Sequence, residues 1–290
     1  MTAVGRARAQ AFFELTKPGI TRMVVVTAAA GYYLGSRGPF DLTRFLHTLV
    51  GTALVAAGSS ALNQVRERGI DALMNRTRGR PLPSGRVTPR AATVFSWSAA
   101  ILGVAYLAWR VNLLTAALAL LTLVSYVFLY TPLKPRTSLN TLVGAVPGAL
   151  PVVGGWTAAG GSLDTTALVL FWILFLWQLP HFLALAWLYR EDYRRGGLAM
   201  LSLEDESGKS TARMALLYAC TLLPVSLLPT LVQLTGSLYF FGALVLGLGY
   251  SGMSLLLLRE PSHRVARALF FTSIIYLPLL LTLMVVDKSA

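Results

Sequence analysis

Apolar residues run along this chain in long blocks, with the polar residues bunched between them. Nine blocks stand out, over 20–36, 46–64, 91–109, 113–130, 139–157, 166–188, 213–234, 238–258 and 266–286. Each is near the ~20 residues that a helix needs to cross a bilayer core. Pro224 and Pro229 fall inside the seventh block and Pro278 inside the ninth. Membrane helices tolerate such breaks when neighbours satisfy the freed backbone groups. The pattern predicts an all-α polytopic membrane protein, one integral domain over 1–290.

Composition agrees: 55% of the 290 residues are hydrophobic and only 13% are charged, with a mean hydropathy of +0.63. A net charge of +13 raises the question of nucleic acid. Its distribution answers it. With nine spans and an inward N-terminus, all of the 25 Lys and Arg except Arg37, Arg44, Arg110 and Lys288 fall on the inner side. That is the positive-inside bias, and it puts the N-terminus in the cytoplasm and the C-terminus outside. Topology therefore accounts for the basicity and no nucleic-acid partner is expected; the lipid bilayer is. Inward positive charge also favours anionic headgroups and soluble anions. The lone cysteine, Cys220, has no partner for an internal disulfide. The polar N-terminus MTAVGRARAQ lacks the marks of a signal or transit peptide, so a bacterial inner (plasma) membrane is expected.

The outward loops are short, whereas two inward ones, 66–90 and 190–211, are long and carry acids and arginines. Long loops in compact proteins are usually functional, so the active face is expected to be cytoplasmic, capped by these two segments. Their recurrence four spans apart hints at an internal pseudo-repeat. The first opens with NQVRERGIDALMNRTRGRPLP, in which Asn63, Glu67 and Asp71 stand four residues apart. On a helix this spacing stacks three oxygen-bearing side chains on one face. A solvated helix end also produces reappearing polar residues, but strict spacing at membrane depth favours function. Converging oxygens suit Mg2+, which bridges carboxylates and phosphates; the neighbouring arginines offer planar forks for phosphate oxygens. Together they read as a site for a diphosphate whose tail lies in lipid.

Several linked segments carry a resemblance: LTKPGI at Leu15–Ile20, DALMNRTRGRPLPSG at Asp71–Gly85, YTPLKPRT at Tyr130–Thr137, WQLPHFLALA at Trp177–Ala186 and EDYRRGG at Glu191–Gly197. With the Asn63 motif before them, they resemble the UbiA superfamily of intramembrane prenyltransferases, most closely its branch that farnesylates protohaem IX. The resemblance covers almost the whole chain. It implies a UbiA-like fold of nine helices around a central cavity. It also implies Mg2+-dependent transfer of the farnesyl group of farnesyl diphosphate to a vinyl group of haem B, with addition of water, giving haem O and diphosphate. A downstream haem-modifying enzyme is a further implied partner. Prenylation of an aromatic quinone precursor or a chlorophyll-type acceptor remains the nearest alternative, and a transporter or haem carrier the alternative of another class.

The resemblance further implies site residues. Asn63, Glu67 and Asp71 would hold metal, joined by Asp192 and Glu191 from a second acidic motif at the end of the sixth span. Lys134, Arg76 and Arg80 would bind diphosphate, with Tyr130, Tyr189 and Arg190 beside them. Two departures stand out: Gly69 replaces a further acid that many relatives carry, and SLEDESG after Leu201 lacks the expected proline. Of the three histidines, His47 and His263 read as structural or solvated. His181 lies inside the sixth span directly after Pro180, where a proline can open the helix and leave an imidazole facing a cavity. An iron contact, a propionate bond and acid–base work are all open to it, as is a core role. Gln178, at i−3, shares its face, while Trp172, Trp177, Phe182 and Trp187 are open to lining the cavity but as a group read as packing.

Overall fold

The computed structural model describes residues 3–289. In chain order the helices are α1 (Ala3–Leu15), α2 (Pro18–Gly35), α3 (Leu42–Leu73), α4 (Pro89–Arg110) and α5 (Leu113–Val124). A π-helical stretch (Ser125–Tyr130) and the short α6 (Thr131–Leu133) prolong α5 into one run. There follow α7 (Asn140–Ala158), α8 (Thr165–Leu188), α9 (Arg190–Arg195), α10 (Leu201–Glu204), α11 (Lys209–Leu231), α12 (Ser237–Arg259) and α13 (His263–Val286).

Eight helices among the described residues are long and apolar enough to cross a membrane. The ninth expected span falls on α2, whose 18 residues reach about 27 Å at 1.5 Å per residue. Its 18 residues include Arg22, Tyr32, Tyr33 and three glycines, and it is not among the eight. It is nevertheless part of the bundle, packed between α3 and α7. One half of the molecule is built from α2, α3, α4 and α5, the other from α8, α11, α12 and α13; α7 lies between, against α2, α5 and α8. The α2–α7 crossing is close because Gly31 faces the Val152 carbonyl and Gly155 the Ala28 carbonyl, where a Cβ would overlap the oxygens. Small residues drive such approaches in lipid, where no hydrophobic force separates helix from solvent. Just past α13, Lys288 Nζ donates to the carbonyls of Tyr33 (2.8 Å) and Ser36 (2.5 Å), tying this segment to the end of α2.

Two local features differ from expectation. The block at 46–64 ends where polar residues begin, but α3 continues to Leu73, 32 residues in all and about 48 Å long. Residues 65–73 are therefore helix rather than loop: no proline interrupts them, and Glu67 and Asp71 stay buried. Secondly, α8 runs unbroken through Pro180. In the turn loosened by the proline, Tyr250 Oη donates to the Trp177 carbonyl at 3.0 Å. The break falls instead at the end of α5, where Pro132 lacks an N–H and Thr131 Oγ1 bonds back to the Tyr126 carbonyl at 2.8 Å. Such π-turns recur at functional sites.

Candidate active site

Between the two halves lies a cavity of about 680 Å3. Its mouth, at the C-terminal end of α3, is lined by Lys17, Glu67, Asp71, Arg76, Arg80 and Lys134; elsewhere it is lined by apolar side chains such as Val55, Leu107, Leu118 and Leu150. All three residues of the α3 ladder are buried, Asn63 and Asp71 at 0% exposed and Glu67 at 6%; Glu67 and Asp71 line the cavity, and Asn63 does not.

Each of these oxygen groups meets a cation. Lys17 Nζ donates to Asn63 Oδ1 at 2.6 Å, Lys134 Nζ lies 2.6 Å from Glu67 Oε1, and Arg80 Nη1 donates to both oxygens of Asp71 at 2.8 Å. Asn63 Nδ2 donates to Thr131 Oγ1 at 3.0 Å, joining α3 to the π-turn. That turn brings Tyr126 and Tyr130 into a stacked pair 5.7 Å apart, with the Lys134 ammonium 4.6 Å from the Tyr130 ring. Burial lowers the Lys134 pKa, but the oxygens of Tyr130 and Glu67 outweigh it and hold the ammonium above its usual value.

Lys17 was not legible as a site residue. Its backbone is left-handed (φ 48°, ψ 67°), rare outside glycine and unusual before a proline, which disposes its predecessor to extended backbone. This bend turns the side chain into the cavity, where burial pushes its pKa down to about 7. A lysine directly before the proline that opens α2 was the available signal. Tyr126, Thr131 and Tyr193 were also missed.

His181 lines the cavity. Its Nδ1 pairs with Ser273 Oγ at 2.7 Å, and its ring lies nearly parallel to Phe270 (centroids 4.8 Å apart) and Trp177 (5.6 Å). Gln178 also lines it, with Nε2 committed to the carbonyls of Ala145 and Leu174. The exposed Gly69 adds nothing to the cavity wall: a Cβ there would meet open space. An acid two residues from Asp71 on a helix projects from the opposite side, so the glycine leaves the inward ladder intact.

The second acidic motif is placed otherwise than the ladder. Glu191 points to solvent, paired with Arg194 at 2.7 Å. Arg190 stacks on Trp187, 4.7 Å from its centroid. Asp192 is 8% exposed, yet it does not line the cavity; neither do Tyr189, Arg190 and Glu191. Asp192 accepts from the backbone N–H groups of Asn75 (3.2 Å) and Arg76 (3.1 Å) and from Arg195 (2.8 Å). Burial raises its pKa, but these donors outweigh it and hold the carboxyl below its usual value.

No three His, Cys, Asp or Glu side chains converge on a metal position among the described residues. Asn63, Glu67 and Asp71 instead form a line of one carboxamide and two carboxylates at successive turns of α3, of which Glu67 and Asp71 line the cavity. Glu67 Oε1 takes no well-directed hydrogen bond, having only its ion contact with Lys134. Hard oxygen donors on residues that line a cavity mouth, one of them an oxygen that accepts no directed hydrogen bond, fit Mg2+, which takes its remaining ligands from water and phosphate.

The UbiA prenyltransferase family profile matches residues 24–275. Protoheme IX farnesyltransferase of Solibacter usitatus (strain Ellin6076) is 47% identical over 288 residues, covering 96% of this chain and 98% of its own. The mitochondrial protoheme IX farnesyltransferase of Homo sapiens is 43% identical over 275 residues, 95% of this chain and 61% of its own. Among solved structures, a digeranylgeranylglyceryl phosphate synthase superposes with a TM-score of 0.82 at 19% identity, over 97% of this chain and 98% of its own. A UbiA homologue from Archaeoglobus fulgidus bound to DMAPP and Mg2+ gives 0.67 at 14% identity, over 94% and 98%; these two likenesses concern the fold alone. The chain belongs to the UbiA prenyltransferase family.

Proposed function

We propose that this protein transfers the farnesyl group of farnesyl diphosphate to a vinyl group of haem B, with uptake of water, giving haem O and diphosphate. The observation that carries the reading is the pairing of a polar ladder with an apolar chamber: oxygens and cations at the mouth, aliphatic walls behind. The names of the relatives supply the acceptor. Asn63, Glu67 and Asp71 would hold Mg2+. A divalent ion there neutralises the diphosphate and makes it a better leaving group.

The chain's own residues do the rest. Lys134, Arg80 and Arg76 bind the diphosphate oxygens, and their fixed charges stabilise the negative charge that grows as the C–O bond breaks. Tyr126 and Tyr130 offer ring faces to the allylic cation at the mouth. The apolar walls exclude water from that cation, and each buried CH2 of the tail contributes about 0.8 kcal/mol of binding. The vinyl group attacks the allylic carbon, and the cation left beside the porphyrin ring takes up water and loses a proton. His181, its Nδ1 fixed by Ser273, contacts the haem with its other nitrogen. The proposed setting is a bacterial inner membrane, N-terminus in the cytoplasm and C-terminus outside, with product passed to a downstream haem-modifying enzyme.

The test is incubation of purified protein with farnesyl diphosphate, Mg2+ and haem B, followed by mass spectrometry of the pigment and assay of diphosphate. A haem heavier by one farnesyl and one hydroxyl group is expected. An unchanged haem, with turnover on a quinone precursor, overturns the acceptor; no diphosphate release with any acceptor overturns the transferase reading.

A further inference from the structure

The turn that carries the second acidic motif grips one arginine at three points. Arg76 lines the cavity mouth from the loop after α3. Its backbone N–H, with that of Asn75, is held by Asp192. Its guanidinium lies over the Tyr189 ring at 4.6 Å and near the Tyr193 ring at 5.5 Å, with Nη2 3.4 Å from Tyr193 Oη. Tyr189, Asp192 and Tyr193 sit within one helical turn at the α8–α9 junction. The same segment reaches the other side of the mouth: Ala199 N–H donates to the Lys134 carbonyl at 2.7 Å, and Asn140 Nδ2 donates to the Ala199 carbonyl at 2.7 Å. Met74, Tyr193, Leu198 and Met200 pack together beneath.

We infer that Tyr189–Tyr193 is a cradle for Arg76, in which Asp192 is a positioning residue that aims the guanidinium at the prenyl diphosphate rather than a donor of oxygens to metal. The inference rests on the proposed diphosphate site. Unlike Asp71, Asp192 does not line the cavity, and its two oxygens accept from two backbone amides of the loop it faces as well as from a guanidinium, which commits it to loop geometry. A guanidinium held against two aromatic rings, with Nη2 spent on Tyr193 Oη, keeps its remaining donors for phosphate while losing its rotamer freedom. The position of the charge, rather than its presence, is what Asp192 contributes.

The experiment uses the full chain in detergent, with Mn2+ binding followed by electron paramagnetic resonance in the presence of farnesyl thiodiphosphate, alongside steady-state kinetics. Asp192→Asn is the main variant; Arg195→Gln, which spares both amide bonds, is the milder second in case the first is poorly folded. Asp192→Asn is expected to raise KM for farnesyl diphosphate about tenfold, with Mn2+ affinity within twofold of the parent. Adding Arg76→Ala to it should cost no more than Arg76→Ala alone, because one acts through the other. Arg195→Gln should raise KM by a smaller factor, again without touching Mn2+. A tenfold loss of Mn2+ affinity in either variant, or additive effects of Asp192→Asn and Arg76→Ala, overturns the inference and makes Asp192 a metal ligand. Failure of the diphosphate-site reading itself is distinct: the parent protein would bind no Mn2+ with the thiodiphosphate.

Discussion

Lys134→Met separates the structural duty of the Glu67–Lys134 pair from its chemical one. The two groups are 2.6 Å apart, and their side chains are 14% and 8% exposed. Removing the lysine strands a carboxylate with no water shell. Breaking a buried pair in this way costs about 3–5 kcal/mol, and the polar cavity mouth argues for the lower end, about 3. At 2–4 °C per kcal/mol this lowers Tm by about 6–12 °C. Glu67→Gln/Lys134→Met removes both charges, and replacing a buried pair by neutral groups is often without cost. The double variant should therefore melt within about 2 °C of the parent. Neither variant should bind farnesyl diphosphate normally: a charged hydrogen bond is worth about 1.5–3 kcal/mol, which is a ten- to hundredfold rise in KM. Thermal unfolding followed by tryptophan fluorescence, with diphosphate release as the second readout, checks both halves. A double variant as unstable as Lys134→Met would refute the ion-pair argument. A Lys134→Met protein with parental KM would remove Lys134 from the substrate site.

Other outcomes follow from the same geometry. Asp71→Ala should abolish turnover and Mn2+ binding while leaving membrane insertion intact, checked by fractionation and resonance titration. Chelation with EDTA should stop diphosphate release, and added Mg2+ should restore it. His181→Ala should change the absorption spectrum of bound haem and spare farnesyl diphosphate binding; a lower Tm with an unchanged spectrum would mean a packing role. At the α2–α7 crossing, Gly155→Leu should destabilise by at least about 1–3 kcal/mol, read as a lower Tm. Asp205 accepts from the Thr211 N–H at 2.7 Å at the start of α11. Burial raises its pKa, but the Thr211 amide and hydroxyl and Ser207 outweigh it and hold it below the usual value. Its contribution is thus fully present above the unfolded value of about 3.9 and is lost as pH falls through the lower folded one. The parent should out-melt Asp205→Asn at pH 6, and the gap should close below about pH 4.

The spans and the Asn63–Asp71 ladder were legible because both depend on periodicity, which the chain displays directly. Lys134, which lines the cavity, came into view through the resemblance carried by YTPLKPRT rather than through periodicity. What failed to show was direction. Nothing in EDYRR says that Glu191 faces water while Asp192 turns onto the backbone of a loop 116 residues earlier, since that depends on how α9 leaves α8. Lys17 was hidden for a different cause: only an uncommon backbone conformation brings it inward. Pro180 and Pro132 are equivalent in sequence terms, yet the neighbours of α8 keep it helical, while the end of α5 yields to a π-turn.

The length of α3 has a consequence for selectivity. Because one uninterrupted rod carries both the lipid crossing and the three oxygens, no joint lets the head group ride up or down. Its rungs are about 6 Å apart along the axis, from four residues at 1.5 Å each. A polyisoprenoid anchored there would be gauged from a fixed datum as it enters the apolar part of the cavity, which Leu107 and Leu118 help to line.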